Sequence, residues 1–119
     1  MVFEPRDFLD LANQIYVDKS YNHEAAWRTV ISRAYYASFL AAFKQLSDHK
    51  VRFQDSDRIH RDVIEAVIRM NSGIGNWLET LRSARVDADY KVMANIQRGN
   101  CQNLLKLAEY ALRDMHLVQ

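Results

Sequence analysis

Cysteine, proline and glycine are all scarce in this chain: one cysteine (Cys101), one proline (Pro5) and three glycines (Gly73, Gly75, Gly99). A lone cysteine excludes an intrachain disulfide and any multi-cysteine zinc site. Few breakers, with apolar residues recurring at a period near 3.6 almost throughout, point to an all-α protein. No window approaches about 18 uninterrupted apolar residues, so no membrane span is expected. Charge of one sign is also lacking. The net charge is +1, so no global field draws the chain to nucleic acid or an acidic membrane, and any such contact needs a local cluster of Arg and Lys. The start, MVFEPRDF, lacks the basic stretch and apolar run of a signal peptide. At 119 residues and 49% apolar, residues 1–119 are expected to form a single cytoplasmic domain with its own core.

What is present is one dominant helix. The stretch WRTVISRAYYASFLAAFKQL, from Trp27 to Leu46, carries apolar side chains on every side, the pattern of a helix packed by neighbours on several faces. It is expected to run from about His23 to Asp48, capped by Ser20 or Asn22. Before it, Pro5 opens a first helix with Phe8, Leu11, Ala12 and Ile15 as its apolar side, ending near Val17. After it, a connector from His49 to Asp57 ends in Asp-Ser-Asp, a cap for a third helix from Arg58 to about Met70. Ile59, Val63, Ala66, Val67 and Met70 make its stripe, while Ile64 and Ile68 widen it or face a second surface such as another subunit. Asn71-Ser72-Gly73 reads as its stop, with Gly73 in the left-handed conformation. A shorter fourth helix is expected from Gly75 to about Arg85. VDADYKV then interrupts, and a last helix runs from about Met93 to His116, unless Gly99 marks its true start. Four long helices and a short one give an up-and-down four-helix bundle with a short additional helix.

The chemistry-bearing residues gather in two stretches. Arg33 lies mid-way along the central helix, and a guanidinium buried there needs an anionic or hydrogen-bonding partner. Asp89, with Asp87, is expected to pair Arg33 or Arg85 and to lock the interrupting loop onto the central helix. With Tyr36, Arg82 and Tyr90, these residues also form a cation-rich group suited to a phosphate or an RNA backbone. His60 is expected to be a partly buried, hydrogen-bonded histidine. Cys101, Trp27 and Trp77 read as core. No Glu is followed by His three positions later, the pattern a di-iron bundle requires, and no metal site or cofactor is expected. Glycine-rich phosphate loops and Gly-x-Ser-x-Gly elbows are absent.

SRAYYASF (Ser32 to Phe39) and LRSARVDADY (Leu81 to Tyr90), in that order in an all-α chain, resemble the HEPN family (higher eukaryotes and prokaryotes nucleotide-binding), in its RAYYA and R..ADY branch. The resemblance spans roughly Asn22 to Leu112. It implies a four- to five-helix bundle that forms a homodimer and binds a minimal nucleotidyltransferase partner, with RNA or nucleotide, as in toxin–antitoxin or defence pairs. Arg33, Tyr36, Arg82, Arg85, Asp89 and Tyr90 are the candidate nucleotide- or RNA-binding residues. Ribonucleases of the family place four to six residues between an Arg and a His near the start of the last helix. None of His23, His49, His60 and His116 has an Arg at that spacing, so enzymatic activity is left open. Two alternatives stand beside the binding role: a ribonuclease toxin with a non-standard Arg85 and Tyr90 site, and a purely structural adaptor bundle.

Overall fold

The computed structural model describes residues 3–117. Among them are five α-helices and no strand: α1 (Arg6–Val17), α2 (Glu24–Asp48), α3 (Ile59–Met70), α4 (Ser72–Tyr90) and α5 (Arg98–Asp114), with one short 3₁₀ turn, Lys19–Tyr21, between α1 and α2. The all-α helical bundle is the architecture the residue pattern predicts. No described helix is long and apolar enough to cross a membrane.

The central helix is α2. Its 25 residues rise about 37 Å, close to the longest dimension of the molecule, 42 Å. It touches all four other helices, which is why its buried residues, from Val30 and Ile31 through Tyr35 and Phe39 to Leu46, do not keep to one stripe. Its cap is His23 rather than Ser20 or Asn22: the imidazole Nδ1 accepts from the Ala26 N–H at 3.4 Å. Ser20 is instead taken up by Asp18, whose carboxylate accepts from its amide and hydroxyl.

The expected punctuation of α3 and α4 is corrected: α4 starts at Ser72, three residues before Gly75. Asn71 ends α3 and caps α4, its side chain accepting from the Ile74 N–H at 3.1 Å. No described glycine has positive φ, and Gly73 lies inside α4. Glycine is needed instead at Gly75, where a Cβ would come within 2.7 Å of the Ile68 Cα. That absence lets α4 fold back tightly on α3. Ile64 is buried and Ile68 half-buried against the core, so both belong to the stripe, whereas Met70 is exposed. Leu11 on α1 is also exposed, and Leu9 takes the core position instead.

The largest departure concerns VDADYKV. The helix α4 does not stop near Arg85 but continues to Tyr90. Two acidic residues near a helix C-terminus oppose the helix dipole, but here each is neutralised one turn away: Arg85 pairs Asp89 at 2.9 Å and Lys91 pairs Asp87 at 2.8 Å. Ala88 between them is buried, so the helix has a core position to gain by continuing. The last helix accordingly starts at Arg98 rather than Met93, which is 94% exposed. Its first turn is held by Asn100, whose side-chain oxygen accepts from the Gln97 N–H at 2.9 Å.

Candidate functional site

The six candidate residues lie on the face where α2 meets α4. Positions 33 and 36 are neighbours one turn apart on α2, as are 82, 85 and 89 on α4. Packing of the two helices brings the two rows together.

Arg85 is the hub. Its side chain is only 13% exposed, and its Nε donates to Asp89 at 2.9 Å. Its Nη2 donates to the hydroxyl oxygens of Tyr36 at 2.8 Å and Tyr90 at 3.3 Å. The guanidinium also lies over the rings of Tyr36 and Tyr90, at 5.1 and 5.2 Å from their centroids. Burial opposes its charge, but Tyr36, Asp89 and Tyr90 outweigh that and hold its pKa above the ordinary value.

Arg33 is not the residue that Asp89 neutralises. The reason is the helical course of residues 86–90, which sets Asp89 one turn beyond Arg85 and spends its Oδ2 there. The same oxygen accepts from the Ser32 hydroxyl at 3.2 Å, and Asp87 is occupied by Lys91. Arg33, half-buried, donates to Ser32 Oγ at 3.2 Å and stacks on Phe8 and Tyr36, at 4.7 and 5.0 Å from the ring centroids. Tyr36 therefore has two guanidinium groups against one ring. Arg82 is half-buried as well. Among the described residues neither Arg33 nor Arg82 has a carboxylate within ion-pair distance.

Three neighbours of the site escape a reading of spacing alone. Tyr35 is fully buried, and its hydroxyl lies 2.6 Å from His60 Nδ1. Burial drives the Tyr35 pKa up. Burial, with the nearby Arg85 and Arg82, drives that of His60 down. The Tyr35 hydroxyl and His60 Nδ1 share this hydrogen bond, its direction set by the imidazole tautomer. The imidazole also stacks on Phe39, centroids 4.4 Å apart. Ser32, buried, joins Arg33 to Asp89. Tyr35 and Ser32 lie inside the quoted motif, but period-3.6 logic assigns them only to the core.

Arg28 is the third. It pairs Glu24 at 2.8 Å, and its guanidinium donates to the carbonyl oxygens of Ala88 (3.1 Å), Lys91 (3.1 Å) and Ala94 (2.7 Å). The segment before the last helix is thus held to α2 by Arg28 through backbone carbonyls, not by a carboxylate of that segment on Arg33. Carbonyls leave no trace in a sequence.

This arrangement can hold an anion: among the described residues only Arg85 of the three candidate arginines is paired with a carboxylate, and rings flank Arg33 and Arg85. Among the described residues no group of three or more His, Cys, Asp or Glu side chains is placed to hold a metal ion. Comparison with family models, with curated proteins and with solved structures gives no match.

Proposed function

We propose that the chain binds the phosphate groups of a nucleotide or RNA on its α2–α4 face, as a HEPN-like protein that dimerises and works beside a minimal nucleotidyltransferase in a toxin–antitoxin or defence pair. One observation carries the binding reading: among the described residues Arg33 and Arg82 are half-buried cations without a carboxylate at ion-pair distance, while Arg85 is already neutralised by Asp89. A partly desolvated guanidinium favours an anion, and phosphate oxygens fit its donor fork. Tyr36 and Tyr90 add ring faces beside the cations, as nucleic-acid sites use them. The dimer and the nucleotidyltransferase partner rest on the paired motifs alone.

The test is binding of a labelled single-stranded RNA to the wild-type protein and to Arg33→Ala and Arg82→Ala. Both variants should bind weakly, Arg82→Ala at an unchanged melting temperature and Arg33→Ala with a stability loss of about 0.5–2 kcal/mol from its contacts with the Phe8 and Tyr36 rings. With two or three phosphate contacts, affinity should fall about tenfold between roughly 50 and 200 mM salt. A wild-type protein that binds no RNA and no nucleotide overturns the reading. Capture from the native cell that recovers no nucleotidyltransferase removes the partner.

A second reading, the ribonuclease toxin, is favoured by His60. A neutral imidazole near Arg82 and Arg85 brings from α3 the proton acceptor that the spacing after Arg85 lacks: with the ring proton on Nδ1, toward Tyr35, Nε2 is the accepting nitrogen. Expression should then arrest growth, and both Arg85→Ala and His60→Gln should relieve it. Harmless expression, with no RNA cleaved by the purified protein, removes this reading.

A further inference from the structure

The arginine cluster opens on one side into a hollow of about 430 Å³ lined by Arg28, Ser32, Arg33 and Asp89, with Ala25 and Thr29 as its far wall. Ala25 and Thr29 also form the near wall of a second hollow of about 430 Å³, on the α1 side of α2. Leu11, Ile15 and Tyr21 make this second hollow mainly apolar, and Gln14 and Asp18 stand among them. Each volume is in the range of small-ligand sites, about 300–1,000 Å³. Residues 25, 29 and 33 follow one another at four-residue spacing, so they line a single track along α2 from the apolar hollow to Arg33. An alanine and a threonine are the residues the two hollows share.

Resting on the phosphate-binding reading above, we infer that the two hollows form one site for a nucleoside monophosphate, with its phosphate on Arg33 and its base and sugar in the hollow beside Tyr21. The charges fit one phosphate group. Arg28 is already occupied by Glu24 and three carbonyls, and Asp89 by Arg85 and Ser32, which leaves Arg33 as the cation lining the hollow without a carboxylate among the described residues. The apolar hollow fits a base better than an alkyl chain because it is not wholly apolar. Asp18 uses Oδ1 for both Ser20 bonds, and Oδ2 remains to accept from a ribose hydroxyl or an exocyclic amine. Tyr21, 48% exposed, offers a ring face for stacking.

Adenosine monophosphate and inorganic phosphate, both close to dianionic at mildly alkaline pH, separate the base-dependent part from the rest. Calorimetric titration should show the nucleotide binding at least about fivefold more tightly than phosphate, the lower end of what one stacked base contributes. Tyr21→Ala and Ala25→Trp, both at exposed positions, should reduce the nucleotide to the level of phosphate without moving the melting temperature. Arg33→Ala should abolish both. Equal affinity of the wild-type protein for the two ligands overturns the inference, as does tight nucleotide binding that survives both hollow variants. In either case Arg33-dependent binding of phosphate or RNA would leave the phosphate-binding reading standing. If neither ligand nor RNA binds, both fall together.

Discussion

Replacing Arg28 with alanine tests how α4 is ended. Its guanidinium is 18% exposed on the side-chain scale and closes three backbone carbonyls within 3.1 Å. A helix C-terminus leaves its last carbonyls without partners, and a cation there also complements the dipole. Lys91 is exposed, so its carbonyl rehydrates when Arg28 is removed, at little cost. Ala88 is buried and Ala94 half-buried, and each should lose about 1–1.5 kcal/mol. The pair with Glu24, half in water, adds less than about 1 kcal/mol. The expected loss is therefore about 2–3 kcal/mol. A chain of this size melts about 4 °C lower per kcal/mol, so Arg28→Ala should melt about 8–12 °C below wild type.

Arg28→Lys discriminates between charge and geometry. An ammonium keeps the charge but cannot fork between carbonyls, so it should recover less than half of the loss. Glu24→Gln should cost under about 1 kcal/mol. Amide exchange adds a local readout, because residues 91–97 should lose protection before the core of α2 does. An Arg28→Ala protein within about 0.5 kcal/mol of wild type would refute the clamp. So would full rescue by lysine, which would reduce it to a charge effect.

Glycine to alanine should have opposite signs at two helical positions. Gly75→Ala sets a Cβ against the Ile68 backbone, and an overpacking cost of about 1–3 kcal/mol outweighs the helix-propensity gain of about 1 kcal/mol. Gly99→Ala meets nothing within 4 Å and should stabilise by about 0.5 kcal/mol; equal shifts in denaturant midpoint would contradict the Gly75 packing. Burial first, then Arg85 and Arg82, holds the His60 pKa below its ordinary 6.5. The unfolded chain therefore binds more protons as pH falls through about 6.5, and this part of the stability, complete above that pH, is lost below it. The urea midpoint should drop between about pH 7.5 and 5.5 by less in His60→Gln than in wild type, and identical drops would show that His60 does not contribute. Burial pushes the Cys101 thiol up to about 11, and the side chain is fully buried, so a thiol reagent at neutral pH should modify it only after unfolding. Rapid native-state labelling would place it at the surface.

The architecture was legible because it rests on apolar periodicity, which side chains write directly into the sequence. The dominance of α2 follows from apolar residues on all its faces, and its bounds differ from expectation by a single residue. Helix ends were less legible because they depend on pairings between specific atoms. VDADY has a loop composition, and only the pairing of Asp87 with Lys91 and Asp89 with Arg85, together with burial of Ala88, makes it helix. Once α4 is extended to Tyr90, Met93 cannot begin α5, and the connection becomes the extended segment that Arg28 holds.

That lengthening also decides the electrostatics of the site. Had residues 86–90 formed a loop, Asp89 would have been free to cross to α2 and neutralise Arg33, leaving little unbalanced charge on this face. As helix, Asp89 is committed to Arg85 one turn away, and Arg33 turns to the rings of Phe8 and Tyr36. Cation–ring contacts contribute roughly 0.5–2 kcal/mol but leave the positive charge uncancelled. The sequence reveals how many arginines there are, but which of them are neutralised depends on helix register. An anion on this face therefore requires that the Arg85–Asp89 pair remain intact. Breaking it with Arg85→Ala would free Asp89 to pair with Arg33, so this variant should lose more phosphate affinity than Arg82→Ala. The double variant Arg85→Ala/Asp89→Ala should regain part of that loss. If the double variant binds no better than Arg85→Ala alone, Asp89 does not govern the charge on Arg33, and the anion site cannot depend on the helical course of VDADY.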